Sequence, residues 1–363
     1  MVKILIVKMS ALGDVIHTLP ALTTLRRHYP EAQITWLAEP GAAEIIRGHP
    51  ALDRLILWPR SDWQRYVGSG KLGRLAHDVR GFVRELRDTR YDLIIDFQGL
   101  LKSALWVALA RGVRKAGYGP GMRHDECSWL VLNERVPAVS NEKHAVERNL
   151  LLLEGLGLPR LPLIYDLLIS PAADQEAGAL LAAAGLSADS PFVAIHPRSR
   201  WRTKNWPPER FAQAAEGLHA HGLSVVWTGA PDDRVHLDAI CAVLPGRAIR
   251  VDGQTSLKTL AAIFRRARVV LSTDTGPMHI AASVGTPVVC LFGPTSAAST
   301  GPYGEGHTVI RVDLACSPCF KKTCRTHQYE KHACMLRLNV AEVVQAVLDQ
   351  VARRTPNAPR PGI

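Results

Sequence analysis

The chain has 363 residues, 47% of them hydrophobic and 21% charged, with a formal net charge of +11 and an isoelectric point near 9.5. That length exceeds what one core usually supports, so two domains are expected, and the positive balance calls for an anionic partner. No apolar run approaches the roughly 20 residues of a membrane-spanning helix, and the seven cysteines, an odd number with Cys127, Cys241 and Cys290 scattered, fit a reducing compartment better than a disulfide framework.

The opening apolar block, residues 1–8, is too short for a signal peptide and reads as a strand over 3–8. A glycine-containing loop, 9–14, leads to a helix over 18–28 with Pro20 admissible in its first turn. Strands follow at 33–38 and 54–58, then an amphipathic helix at 72–89 and a buried strand at 91–97 that ends in Gln98-Gly99. Strands alternating with helices imply a parallel, doubly wound sheet. Between Arg54 and Arg123 lie fourteen Lys and Arg against six Asp and Glu, which is eight of the eleven net positive charges. Nucleic acid, a phosphorylated lipid headgroup or an anionic membrane surface would each suit that span.

The pattern restarts after a connector at 156–191, where Pro-rich text precedes an Ala-rich helix. Strands are expected at 191–196, 223–228, 268–273 and 287–292, and a last helix at 340–353 opens with Asn339 and Glu342 in capping-box spacing. A Pro-rich tail over 354–363 closes the chain as loose sequence. The organisation is therefore α/β, in two similar halves: 1–165, 166–338, and a terminal helix with its tail at 339–363.

Four motifs sit where strands end, the edge at which α/β sheets bind ligands. Asp14, after the first strand, either takes a proton from an attacking hydroxyl or caps the next helix. The loop 196–207 holds Arg198, Arg200, Arg202 and Lys204, suited to phosphate oxygens. Gly229-Ala-Pro-Asp-Asp233 offers an acid to a ribose, or caps a helix. Asp274-Thr275-Gly276-Pro277 stops a strand and opens a helix whose N-terminal N–H groups suit a diphosphate. Gly68-Ser-Gly70-Lys-Leu-Gly73 matches a dinucleotide fingerprint in letters, but no strand runs into it, so it reads as a surface loop. Cys316-x2-Cys319-x4-Cys324-x9-Cys334 has spacing that zinc would accept; free thiols and a disulfide stay equally open.

Five separated segments together resemble the lipopolysaccharide heptosyltransferases of glycosyltransferase family 9. They are Ser10-Ala-Leu-Gly-Asp14 with its continuation to Pro20, Asp96-Phe-Gln-Gly-Leu-Leu-Lys-Ser103, His144-Ala-Val-Glu-Arg148, Lys204-Asn-Trp-Pro207 and Asp274-Thr-Gly-Pro-Met-His279. The N-terminal half is most similar to heptosyltransferase I, and the four-cysteine segment to heptosyltransferase II and related members. The resemblance implies a GT-B fold: two Rossmann-like, doubly wound parallel-sheet domains facing across a cleft, with the terminal helix returning onto the first. It implies an inverting transfer of L-glycero-D-manno-heptose from ADP-heptose to a Kdo residue of lipid A.

Carried over residue by residue, the resemblance makes Asp14 the general base, with Ser10 and Gly13 shaping its loop. Lys204 would bind the diphosphate, and Ser199, Asp233, Asp274, Thr275, Gly276 and His279 would complete the donor site, with Asp232 an alternative to Asp233. Arg123 and Arg60 would bind the acceptor. No cofactor and no divalent metal is implied for the chemistry, since a lysine and a helix N-terminus can answer the charge on departing ADP. The partners implied are ADP-heptose, Kdo-lipid A and the anionic inner leaflet, with the protein cytoplasmic and peripheral to the inner membrane. The rivals are a heptosyltransferase II-like enzyme, another nucleotide-sugar transferase or epimerase on this fold, and a basic nucleic-acid-binding protein with a zinc knuckle. The last lacks aromatics arrayed on a basic strand for base stacking.

Overall fold

A computed structural model describes residues 1–122, 126–187, 190–244 and 248–353. The chain divides after Leu168 into two compact units. The first contains β1 (Lys3–Val7), β2 (Gln33–Ala38), β3 (Arg54–Leu57), β4 (Arg90–Asp96), β5 (Arg111–Tyr118) and β6 (Glu134–Val136). All six are parallel, in the order β3-β2-β1-β4-β5-β6. The second contains β7 (Phe192–His196), β8 (Ser224–Trp227), β9 (Ile249–Arg250), β10 (Val269–Thr273), β11 (Val288–Phe292) and β12 (Thr308–Arg311). They too are parallel, in the order β12-β11-β10-β7-β8-β9. Counted from its own first strand, each sheet has the same winding. This is the GT-B fold class expected from the sequence.

The central strands are continuous apolar runs because helices bury the parallel sheets. Ile4, Leu5, Ile6 and Val7 are fully buried, as are Val193, Ala194 and Ile195 of β7. In the first unit the core extends through Trp58, Trp63, Phe82 and Trp106, whose rings meet edge to face. Edge-to-face packing sets the positive rim of one ring on the negative face of the next. Helix Leu72–Arg87 follows helix Arg60–Gly68, and the glycine-rich segment between them is a turn with Gly70 at φ +68°, unconnected to any strand end.

In the second unit, helix Pro171–Ala183 packs on helix Leu257–Arg266. Asp174 ties them by accepting from Arg265 and Arg266 at 2.8 and 2.9 Å. Helix Val340–Arg353 begins where Asn339 Oδ1 accepts the N–H groups of Ala341 and Glu342. Val343 and Val347 are fully buried in the core of the second unit, where the helix packs on helix Pro208–Ala220 and on β10 and β11. No helix among the described residues is long and apolar enough to cross a membrane.

Candidate active site

Each winding has one switch point, between its first and fourth strands, where successive connections depart to opposite sides and leave a crevice at the carboxyl edge. In the first unit it lies between β1 and β4. Gln98 Oε1, just past β4, accepts the N–H groups of Met9 and Ser10 at 3.0 and 3.2 Å and so fixes the loop after β1. Gly99 takes φ +66°, which turns the chain so that Gln98 and Gly99 N–H both reach Asp96 Oδ1. Burial pushes the Asp96 carboxyl up, and those bonds with Ser103 Oγ oppose it. Beneath the loop, Lys8 Nζ donates to Phe97 O at 2.8 Å. Burial lowers the Lys8 pKa, while the charges of Asp14 and Asp96 pull it back.

On this floor the short helix Leu12–Ile16 carries Gly13 and Asp14 in its first turn. Asp14 Oδ2 accepts the Ala11 N–H at 2.9 Å, so the capping reading is correct for one oxygen, while the side chain stays half-exposed. Ser10 Oγ accepts from Lys102 Nζ at 2.6 Å. Lys102 also lies 3.5 Å from Glu39 Oε1, and Arg60 approaches the same oxygen at 3.6 Å while its guanidinium sits 5.7 Å from the Trp58 ring. Asp14, Ser10, Gly13 and Arg60 thus share one sheet edge, with Lys102 and Glu39 joining them. Sequence reasoning overlooked these two; the signal for Lys102 was its place in the 96–103 motif. Arg123 lies outside the described residues.

The second unit repeats the arrangement between β7 and β10. Helix Gly276–Ser283 follows β10 directly, and Thr275 before it makes no side-chain cap, with Pro277 in the first turn. Lys204 Nζ donates to Asp274 Oδ2 at 2.6 Å, and Thr295 Oγ1, after β11, donates to the same oxygen at 2.5 Å. The Lys204 and Asp274 side chains are 15% and 6% exposed, so this is a nearly buried pair whose charges must satisfy each other. The Lys204 ammonium also stands 4.7 Å from the Trp201 ring centre. Ser199 is buried, its N–H donating to Asn205 Oδ1 at 2.8 Å, and His279 is buried on the helix.

At the end of β8, Asp233 Oδ2 accepts the Ala230 N–H at 2.9 Å, and Oδ1 lies 3.5 Å from Arg198. Asp232 points outward and offers Arg198 only its carbonyl. Burial takes His196 down to about 4, with Asp233 opposing, and its Nδ1 shares a hydrogen bond with Thr228 Oγ1 at 3.0 Å. This edge combines a paired lysine, an arginine–aspartate pair, a neutral histidine and a helix N-terminus, a set able to hold a diphosphate. No disulfide joins the cysteines among the described residues; Cys316, Cys319 and Cys324 lie in the loop after β12, and Cys334 on the short helix Ala333–Leu336 that follows it.

A profile of glycosyltransferase family 9 (heptosyltransferase) matches residues 79–330. Lipopolysaccharide heptosyltransferase 1 of Pseudomonas aeruginosa is 34% identical over 374 residues, covering 95% of this chain and 98% of the relative. The chain belongs to glycosyltransferase family 9. A second relative in the family, lipopolysaccharide heptosyltransferase 1 of Escherichia coli K12, is 31% identical over 85% of this chain and 93% of its own. The E. coli heptosyltransferase WaaC solved with ADP superposes with a TM-score of 0.75 at 26% identity, covering 96% of this chain and 99% of that one. E. coli ADP-heptose heptosyltransferase II matches the fold with a TM-score of 0.75 at 22% identity, over 97% and 99% of the two chains. As a family 9 member this protein is a glycosyltransferase, as the resemblance implied.

Proposed function

We propose that this glycosyltransferase moves L-glycero-D-manno-heptose from ADP-heptose to a Kdo residue of lipid A, inverting the anomeric centre. The observation that carries the reading is the Lys204–Asp274–Thr295 cluster beside the N-terminus of helix Gly276–Ser283. As the bond from anomeric carbon to phosphate oxygen breaks, charge grows on the β-phosphate. An ammonium and a row of helix N–H groups stabilise it there, the work a divalent cation does in other sites. The Asp274 turn, Thr275 and Gly276 offer backbone donors, with Ser199 and His279 bounding the donor pocket. Asp233, held toward the edge by Ala230 N–H and Arg198, is the acid for the ribose.

The Kdo hydroxyl gives its proton to Asp14 while its oxygen attacks the sugar on the face opposite ADP, which yields inversion. Ser10 and Gly13 fix the Asp14 loop. Arg60, with Arg123, binds acidic groups of the acceptor. The positive charge concentrated over 54–123 holds the protein, as a cytoplasmic peripheral enzyme, on the anionic inner leaflet.

Purified protein given ADP-heptose and Kdo-lipid A should release ADP and add one heptose mass to the lipid without added magnesium or manganese. UDP-sugars should not substitute. Transfer only to an acceptor already carrying one heptose would assign the second addition instead. Failure on both acceptors with ADP-heptose bound would reject the reading.

A further inference from the structure

The loop after β12 is longer than a connection needs, and both its ends are stitched to one place in the second sheet. Ser317 Oγ, between Cys316 and Cys319, donates to Gly293 O at 2.6 Å, and Phe320 N donates to Pro294 O at 2.7 Å. A Cβ placed on Gly293 would stand 3.0 Å from Cys334 Sγ. Cys324 Sγ accepts the N–H of His332, two residues before Cys334, at 3.3 Å. Phe320 and His332 take φ +54° and +67°, left-handed turns that fold the loop back on itself. The segment carrying Cys316 and Cys319 and the thiol of Cys334 are therefore brought to Gly293, and Cys324 is tied to the residue two before Cys334.

We propose that Cys316, Cys319, Cys324 and Cys334 bind a structural zinc ion as four thiolates, and that the closed loop braces the segment bearing Lys204. The spacing is that of tetrahedral four-sulfur sites. Four thiolates and one dication leave two negative charges, and Lys321, Lys322, Arg325 and Lys331 lie within the same loop to offset them. The His332 N–H on Cys324 is the kind of outer hydrogen bond that stabilises metal-bound sulfur. Among the described residues no three His, Cys, Asp or Glu side chains surround one point, so uptake requires rotation of cysteine side chains about χ1. Binding releases one proton from each thiol that enters as SH.

The brace is visible at two contacts. Thr203 Oγ1 donates to Lys321 O at 2.9 Å, and Lys322 Nζ lies 5.5 Å from the Trp201 ring that also faces Lys204. The bracing part rests on the donor-site reading above; the zinc part does not.

The test is metal analysis of full-length protein purified without chelators from zinc-supplemented cells. About one zinc per chain is expected, with the four thiols protected from alkylation until the metal is stripped. Cobalt reconstitution should give the intense thiolate charge-transfer and red d–d bands of a tetrahedral sulfur site. Cys319→Ser and Cys324→Ser should each abolish stoichiometric zinc. If those variants do not fold, stripping and reloading the wild type gives the same answer through its zinc-dependent melting temperature. Zinc below about a tenth of an equivalent, iron in its place, a disulfide among the four, or full alkylation with zinc present would each overturn the assignment. Stripped protein that remains folded should bind ADP about tenfold more weakly. Unchanged ADP affinity with stoichiometric zinc would remove the bracing role and leave the metal site standing. Absence of ADP binding in the zinc-loaded protein would instead count against the donor site.

Discussion

Replacing Lys204 by Met tests the donor site through two readouts that its geometry couples. Lys204 and Asp274 are 2.6 Å apart and 15% and 6% exposed, so removing the cation strands a buried carboxylate. Breaking a buried pair from one side costs about 3–5 kcal/mol. The lower end applies because Thr295 still donates to the same oxygen of Asp274. For a unit of this size about 3 kcal/mol lowers the melting temperature by roughly 6–12 °C. Adding Asp274→Asn in the same chain removes the stranded charge and should restore most of that loss. ADP affinity behaves differently, since the ammonium is gone from both variants. A lost charge-assisted hydrogen bond of about 1.5–3 kcal/mol weakens ADP roughly ten- to a hundredfold. Calorimetric unfolding and ADP titration of both variants, with Asp274→Asn alone to close the cycle, measure the two effects. A Lys204→Met protein that melts with the wild type, or that binds ADP within about twofold of it, would refute the reasoning.

Asp14→Asn keeps an oxygen able to accept the Ala11 N–H, so the loop and ADP affinity should survive while kcat falls about 10²–10⁴-fold; normal turnover would take the base role from Asp14. Acid stability should be steep. Arg54's hydrogen bonds hold the Asp88 carboxyl below its usual range, and burial of Asp252 is outweighed by its bidentate bonds from Arg250, so it too is lowered. Both contribute stability that is present above the ordinary carboxylate pKa of about 4 and lost as pH falls through the depressed folded values. Urea midpoints from about pH 5 to about pH 2 should therefore fall less steeply in Asp252→Asn than in wild type, and parallel curves would contradict the assignment. Gly293→Ala would set a Cβ 2.6 Å from Met335 Sδ and 3.0 Å from Cys334 Sγ in a closed region, costing about 1–3 kcal/mol; an unchanged melting temperature would show that the loop yields there.

The interior strands were legible because each is an apolar run closed by glycine, aspartate or proline, as in 91–99 and 268–277. β5, β6, β9 and β12 were missed for the complementary reason. β5 reads Arg-Gly-Val-Arg-Lys-Ala-Gly-Tyr, with three cations and a largely exposed first half, and β9 is two residues long. Such strands exist because a neighbour supplies their hydrogen bonds, which no local pattern encodes. The terminal helix was legible as a helix, yet its amphipathic stripe says only that one side is buried, not which elements cover it.

Within the site, Asp14, Lys204 and the Asp274 turn stood out because they follow strands at the ligand-binding edge. Their partners did not, since Lys102 meets Ser10 across 92 residues and Thr295 meets Asp274 across 21. What joins them is the order of winding. In both sheets the fourth strand lies beside the first, so the loops after those strands must meet whatever their distance in sequence. Applied to the first unit, that rule pairs 9–14 with 97–103 and brings Gln98 and Lys102 to the Asp14 loop. Applied to the second, it pairs 197–205 with 274–279 and brings Lys204 to Asp274. Strand order carries the information that residue type alone lacked, and the pairing of loops at both edges follows from it.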